Sequence, residues 1–192
     1  MRIIAGSKRG MKLLSPKSAD SRPIVDRVKE SLFSVLYKYE LPAGKRIADL
    51  FCGVGSLGLE ALSRGAEFVT FVEKDPKVAA VLERNIEKAG FVAQSKVIKA
   101  NAFKVGAPVG FEEAEYDLVF VDPPYAYTRD VGAGSRLAEQ LGLVSQQLAG
   151  GGFVVVRTHR NSNLMEKYGM VEVIERRQWG TMAVTILQAA VK

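Results

Sequence analysis

Asp122, Pro123, Pro124 and Tyr125 directly follow the apolar run Leu118–Val121, and each of the four residue types has a chemical use. The two prolines fix φ near −65° and remove two backbone donors, so a carbonyl beside them is held rigidly. Asp122 adds a carboxylate acceptor and Tyr125 a flat ring. An exocyclic amine on a nucleobase matches this set. One N–H can go to Asp122, the other to the Pro123 carbonyl, and the ring can stack on Tyr125 for roughly 1–3 kcal/mol. The nitrogen lone pair then points out of the pair of acceptors toward an electrophilic carbon. An in-line displacement of that kind is catalysed largely by positioning. An Asp-Pro turn also ends many strands without any such role, so the motif needs a methyl donor nearby to acquire meaning.

The donor site is read from "IADLFCGVGSLGLEAL". Gly53, Gly55 and Gly58 fit G-x-G-x-x-G, and an acid, Glu73, follows Gly53 by 20 residues. Glycines permit positive φ and close approach of backbone to a ligand, and the acid can accept from the two hydroxyls of a ribose. Three readings fit. The glycines could serve helix–strand packing alone; the turn could hold the pyrophosphate of a dinucleotide; or it could hold S-adenosylmethionine, which has no phosphate. Asp49, just before the turn, favours the last, because a carboxylate repels a pyrophosphate and suits a methionine ammonium. Phe51 in the turn and Lys74 beside Glu73 belong to the same candidate cofactor set, as do Asn101 and Ala102 where a third strand ends. Asn101 offers either an acceptor for an adenine amino group or an ordinary turn residue.

For these positions to meet, they must lie at the carboxyl ends of neighbouring strands, where open α/β sheets bind ligands. The pattern supplies those strands: 46–51, 67–75, 95–101, 116–122 and 152–159, with 170–179 and 182–191 closing the chain around Gly180. Helices are expected over 27–39, capped by Asp26, and over 56–65, 76–90 and 136–152. Alternating β and α segments with buried strands predict a mostly parallel, doubly wound α/β sheet of the Rossmann-like type. The last two strands, with no helix between them, should pair antiparallel. Residues 1–14 read as a small β-hairpin with a basic tip. The division expected is a basic appendage over 1–44 and an α/β body over 45–192. The polar segment 126–135 is either a lid or a plain loop.

Composition bounds the rest. The chain has 192 residues, 47% apolar and 25% charged, with mean hydropathy near zero at +0.04. A single cysteine, Cys52, excludes an internal disulfide and fits a cytoplasmic setting. Nothing reads as a signal peptide or membrane span. No His/Cys ligand cluster suggests a metal. Residues 1–46 hold 11 Lys/Arg against 4 Asp/Glu, whereas the remainder is nearly balanced at 16 against 17. That localisation is the footprint of a phosphate-backbone binder, or of a solubilising arm. Arg2, Lys8, Arg9, Lys12, Arg22 and Arg27 are the candidate nucleic-acid contacts.

Together, "MRIIAG", "SRPIVDRVKESLFSVL", "DLFCGVGSLGLEALSRGA", "FVEKD" and "DPPY" resemble the bacterial RsmD family, whose members methylate a guanine N2 in 16S ribosomal RNA. The resemblance implies a Rossmann-like methyltransferase body with an N-terminal hairpin for RNA. It implies S-adenosylmethionine near Asp49, Gly53, Gly55, Glu73 and Asn101, and a flipped base at Asp122, Pro123 and Tyr125. Arg22 and Arg27 match basic positions near the active site. The chain departs from the family pattern at Cys52 and Val54 in the turn. It also departs at Asn101 and His159, where acids are expected; for His159 a bland strand-end role is favoured. The implied substrate is ribosomal RNA, free or in an assembling small subunit; a monomer is expected, since nothing in the sequence suggests an obligate dimer. Rivals are an adenine-N6 methyltransferase, a nicotinamide dehydrogenase and a non-catalytic RNA-binding module.

Overall fold

Eight strands form one sheet in the order β3-β2-β1-β4-β5-β8-β7-β6. The computed structural model describes residues 1–16, 24–108 and 115–191. The strands are β1 (Arg46–Leu50), β2 (Phe68–Glu73), β3 (Ser95–Lys99), β4 (Tyr116–Val121), β5 (Leu148–His159), β6 (Lys167–Tyr168), β7 (Val171–Trp179) and β8 (Met182–Ala189). β1 to β5 pair in parallel. β8 inserts antiparallel between β5 and β7, and β6 pairs antiparallel on the outer edge of β7. The helices are α1 (Asp26–Tyr37), α2 (Ser56–Ser63), α3 (Pro76–Ala89), α4 (Ala102–Val105) and α5 (Arg136–Ser145). Among the described residues, no helix is long and apolar enough to cross a membrane.

Side-chain alternation along the central strands builds two cores, one on each face of the sheet. In β4, Leu118 and Phe120 join the cluster under α1, α2 and α3, while Val119 and Val121 join the one under α5. The parity that sends Phe120 to the first core also fixes where Asp122 emerges. Phe33 of α1 meets Phe120 at 6.0 Å between ring centroids, so the N-terminal helix belongs to the same core as the central strand.

The N-terminal hairpin is pared down to one antiparallel bridge, Arg2 with Lys12, around a 3-10 turn at Gly6–Lys8. What holds it is burial and side-chain hydrogen bonding. Ile3 and Leu13 sit in the first core. Glu60 of α2, fully buried, accepts from the backbone N–H of Ile4 at 2.8 Å and of Ala5 at 3.1 Å. It also pairs with Lys29 of α1 at 3.3 Å and with Arg64 at 2.8 Å. Lys29 in turn donates to the Arg2 carbonyl. Asn85 of α3, also fully buried, exchanges two hydrogen bonds with the backbone of Leu14 and donates a third to the Val54 carbonyl. The same amide therefore ties the arm to the glycine turn.

Three local expectations need correction. Asp26 is not the cap of α1: Val25 takes that place with no side-chain bond, and Asp26 instead pairs with Arg2 at 2.7 Å. The helix expected to run to residue 152 stops at Ser145, and Leu148–Gly152 open β5. The glycines there serve sheet geometry. Leu148 pairs with Tyr116 across a register shift, and a Cβ on Gly152 would lie 3.0 Å from the Tyr116 carbonyl oxygen. Finally, the third strand ends at Lys99, and the short α4 follows it, with Asn101 as its cap.

Candidate active site

The carboxyl ends of β1, β2 and β4, the residues after β3, and Arg157 of β5 line a cleft of about 850 Å³. Asp49, Phe51, Gly53, Glu73, Lys74, Asn101, Ala102, Asp122, Pro123, Pro124 and Tyr125 all lie on its walls. The carboxylate, glycine-turn and proline positions expected to meet at one crevice are thus brought together. Gly55 and Gly58 are not on those walls. Their missing side chains serve packing: a Cβ on Gly55 would lie 2.5 Å from Leu82 Cδ1, and one on Gly58 would lie 2.3 Å from the Phe71 ring. At Gly53, with φ +55°, nothing lies within 4 Å of an added Cβ, so its backbone faces open space.

The first half of the cleft is acidic. Asp49 is 1% exposed, and its Oδ2 accepts from the Gly58 N–H at 2.8 Å. Burial pushes its carboxyl up to about 7; the Gly58 N–H opposes this, while the neighbouring Asp122 and Glu73 add to it. Glu73 accepts from the N–H of Gly53 at 3.1 Å and of Asp75 at 2.8 Å, which fixes the glycine turn against the end of β2. Phe51 holds φ +58°, rare for an aromatic residue, and its ring stands edge-on to Phe103 of α4 at 4.8 Å. Asn101 Oδ1 accepts from the Phe103 N–H at 3.1 Å, the bond that caps α4.

The second half holds the opening motif. Asp122 ends β4 and pairs with Arg157 of β5, Nε to Oδ1 at 2.5 Å. Burial raises the Asp122 carboxyl above its ordinary value, and Arg157 offsets only part of that rise. The Pro124 carbonyl accepts from the Tyr127 N–H at 2.9 Å, closing a 3-10 turn over Tyr125–Thr128. That turn is stapled. Thr128 is fully buried, its hydroxyl donates to the Tyr125 carbonyl, and its own carbonyl accepts from Ser162 Oγ. Further along, the Val131 carbonyl accepts from Tyr168 Oη at 2.7 Å. His159 stands edge-on to the Tyr125 ring, with centroids 6.1 Å apart and planes at 89°. Its Nδ1 accepts from the Asn161 N–H. His159 thus ends β5, as expected from sequence, and its ring also meets that of Tyr125.

Of the candidate RNA contacts, Arg9 and Arg27 are exposed. Arg2 is engaged by Asp26, and Lys8 lies 5.8 Å over the Phe91 ring. Lys12 is exposed, its carbonyl accepting from Lys88 Nζ. Arg22 lies outside the described residues. The sequence reading missed Arg157, although a lone cation in "FVVVRTH" marked it. It also missed Met1, Pro16 and Ile24, through which the N-terminal segment borders the cleft. Their apolar character gave no signal. Among the described residues no cluster of metal-ligating side chains occurs.

A family model described as "Conserved hypothetical protein 95" matches residues 1–188. The chain belongs to this family, the RsmD family of methyltransferases. Among its relatives, "Putative rRNA methyltransferase YlbH" of Bacillus subtilis is 32% identical over 188 residues, 97% of each chain. "Ribosomal RNA small subunit methyltransferase D" of Escherichia coli is 42% identical over 127 residues, which span 65% of this chain and 60% of that one. A solved structure, "Putative methyltransferase yhhF from Escherichia coli", superposes with a TM-score of 0.82 at 30% identity, covering 100% of this chain and 99% of the other. The fold alone is shared with an RNA methyltransferase from Salinibacter ruber in complex with S-adenosyl-L-homocysteine. There the TM-score is 0.64 and the identity 14%, over 89% and 95% of the two chains.

Proposed function

We propose that this chain transfers a methyl group from S-adenosylmethionine to the exocyclic N2 amine of a guanine in small-subunit ribosomal RNA. The observation that carries the reading is the joining of Asp122, Pro123 and Tyr125 to Asp49 and Glu73 in one cleft. An amine site and an acidic cofactor site there share a wall.

The cleft's chemistry fits the cofactor. Four carboxylates, Asp49, Glu73, Asp75 and Asp122, line it, which suits a ligand carrying an ammonium and a sulfonium and opposes a pyrophosphate. The Gly58 N–H in the first turn of α2, which a dinucleotide phosphate would use, already serves Asp49. Asp49 is the residue to hold the ammonium, Glu73 the ribose hydroxyls, and the open backbone at Gly53 the close approach. Bound there, the cofactor supplies an activated methyl group on sulfur.

The chain's own residues then position the acceptor. Asp122 accepts one N–H of the amine and draws off its developing positive charge. The Pro124 carbonyl is engaged by Tyr127, so the second N–H is assigned to the Pro123 carbonyl. Tyr125, braced by His159, stacks the flipped base. The rRNA substrate follows from the names of the relatives and from the basic N-terminal segment. The choice of guanine N2 rests on the family resemblance, since the same acceptors also suit adenine N6. Incubating small-subunit rRNA and subunits with methyl-labelled cofactor, then digesting to nucleosides, tests all three steps. N2-methylguanosine is expected. N6-methyladenosine would redirect the assignment, and no incorporation into either substrate would sink it.

A further inference from the structure

The feature of the site that neither the motif nor the family comparison assigns is Arg157. Its guanidinium Nε donates to Asp122 Oδ1 at 2.5 Å, with side chains only 13% and 18% exposed. The register makes the contact unavoidable. Val121 of β4 pairs with Val156 of β5, so the next residue of each strand, Asp122 and Arg157, reaches the cleft edge together. The rest of this stretch of β5, Phe153–Val156, is buried and apolar. A cation at that point is therefore unlike its strand neighbours.

We infer that Arg157 is the positioning residue of the methyl-acceptor site: it clamps one oxygen of Asp122, keeps that carboxylate ionised, and presents the other oxygen to the amine. The inference rests on the reading of function given above. Its physical basis is the cost of the alternative. A carboxyl buried beside other acids takes up a proton, and a protonated Asp122 would offer an O–H where the amine needs an acceptor. The groups that bear on Asp122 are Asp49 from β1, Glu73 from β2, Tyr125 from the following turn, and Arg157 and His159 from β5. Burial acts to protonate it, and Arg157 is the cation in direct contact. Fixing Oδ1 also removes the free rotation that would blur the direction of Oδ2. A pair serving stability alone has no need of a charged partner here, since apolar residues of similar volume do as well.

Arg157→Met and Arg157→Lys in the full chain separate this role from a structural one. The readouts are kcat/KM on small-subunit rRNA from pH 6 to 9.5 and the calorimetric affinity for S-adenosylhomocysteine. For Arg157→Met, activity at pH 7 should fall about tenfold or more. Its acidic limb should move up by about one pH unit or more, with activity regained as pH rises. Affinity for S-adenosylhomocysteine should stay within about threefold, and Arg157→Lys should return the limb toward its original place. Adding Arg157→Met to Asp122→Asn should cost nothing further, because the residue acts through Asp122. A wild-type pH profile in Arg157→Met would overturn the inference, as would a fully multiplicative loss in the double variant. If Arg157→Met does not fold, Arg157→Lys carries the test. There the rate at pH 7 should still fall, because an ammonium lacks the Nε–H aimed at Oδ1, and Arg157→Gln, which keeps a donor without the charge, should move the limb up; a limb unchanged in Arg157→Gln then overturns it. Wild-type activity is the control: if the wild type methylates neither guanine nor adenine, the reading of function fails, and not this one alone.

Discussion

Asp122 and Asp49 are both buried acids in one cleft, yet their partners give them opposite tasks. Asp122 lies in the proposed amine site and has a guanidinium on one oxygen, so its loss should remove acceptor positioning and leave the cofactor half intact. Asp122→Ala is expected to lower methyl transfer by about 100-fold or more, the scale of losing one preorganised polar contact to the reacting group. Affinity for S-adenosylhomocysteine should change little, and single-turnover assays with parallel calorimetry read both. Near wild-type turnover would dismiss the mechanism. Among the described residues, Asp49 has the Gly58 N–H as its one hydrogen-bond partner, and its carboxyl lies at about 7 in place of 3.8. With the folded value raised, the folded protein binds the extra proton between those limits. The contribution of Asp49 to stability is thus fully present below about pH 4 and is lost as pH rises through about 7. Ligand binding has the opposite sign, because an ammonium favours the charged form. Affinity for S-adenosylhomocysteine should weaken below pH 7, by up to about tenfold per unit. Asp49→Asn should bind more weakly and show no such slope; a slope that survives the substitution rules Asp49 out as its source.

At the level of elements, the connection between the N-terminal arm and the cleft runs through two buried side chains. Glu60 answers two backbone donors, Lys29 and Arg64. Glu60→Ala should therefore leave a buried ammonium and two N–H groups without their partner and destabilise the fold by about 3–5 kcal/mol, measured by urea unfolding. A loss under about 1 kcal/mol would mean water replaces the carboxylate. Gly58→Ala tests the other contact of α2. With a Cβ only 2.3 Å from the Phe71 ring, strain of about 1–3 kcal/mol is expected. How much of this was legible from sequence divides along physical lines. The parallel strands were legible because burial on both faces writes a continuous apolar run, as in Leu118–Val121. The glycine turn, Glu73 and the proline motif were legible because their geometry demands rare residue types at fixed spacing. The arm's attachment was not, since Glu60, Asn85 and Lys29 look like ordinary helix-surface residues until the tertiary contacts bury them. Arg157 was not, because its meaning lies in a neighbour 35 positions away that only strand register brings close. The end of α5 was misjudged because "SQQLAGGG" continues a helical apolar spacing, while pairing of Leu148 with Tyr116 takes the segment into the sheet.

Across the whole molecule, the charge asymmetry and the cleft point the same way. The cations of the first 46 residues, 11 against 4 acids, ride on a segment whose Met1, Pro16 and Ile24 form part of the cleft wall. Glu60 and Asn85 hold the arm at Ile4, Ala5 and Leu14, so the exposed Arg9 rides on an anchored segment and the exposed Arg27 on α1. A polyanion laid across the arm would release counterions and place one nucleotide at the cleft mouth. Contacts of this kind carry affinity with little sequence information, whereas the base contacts proposed at Asp122, Pro123 and Tyr125 would carry the specificity. The two contributions can be separated by salt. Arg9→Ala with Arg27→Ala should weaken RNA binding and lower the slope of log K against log salt by about 0.7 for each contact that is made to single-stranded RNA. Affinity for S-adenosylhomocysteine should not move, and turnover at saturating RNA should stay near wild type. Arg2→Ala should change the slope less than either, since its guanidinium is already paired with Asp26. Filter binding across 50–300 mM salt decides the matter: a slope unchanged by the double variant would take the arm out of the RNA interface and leave its cations as surface charge.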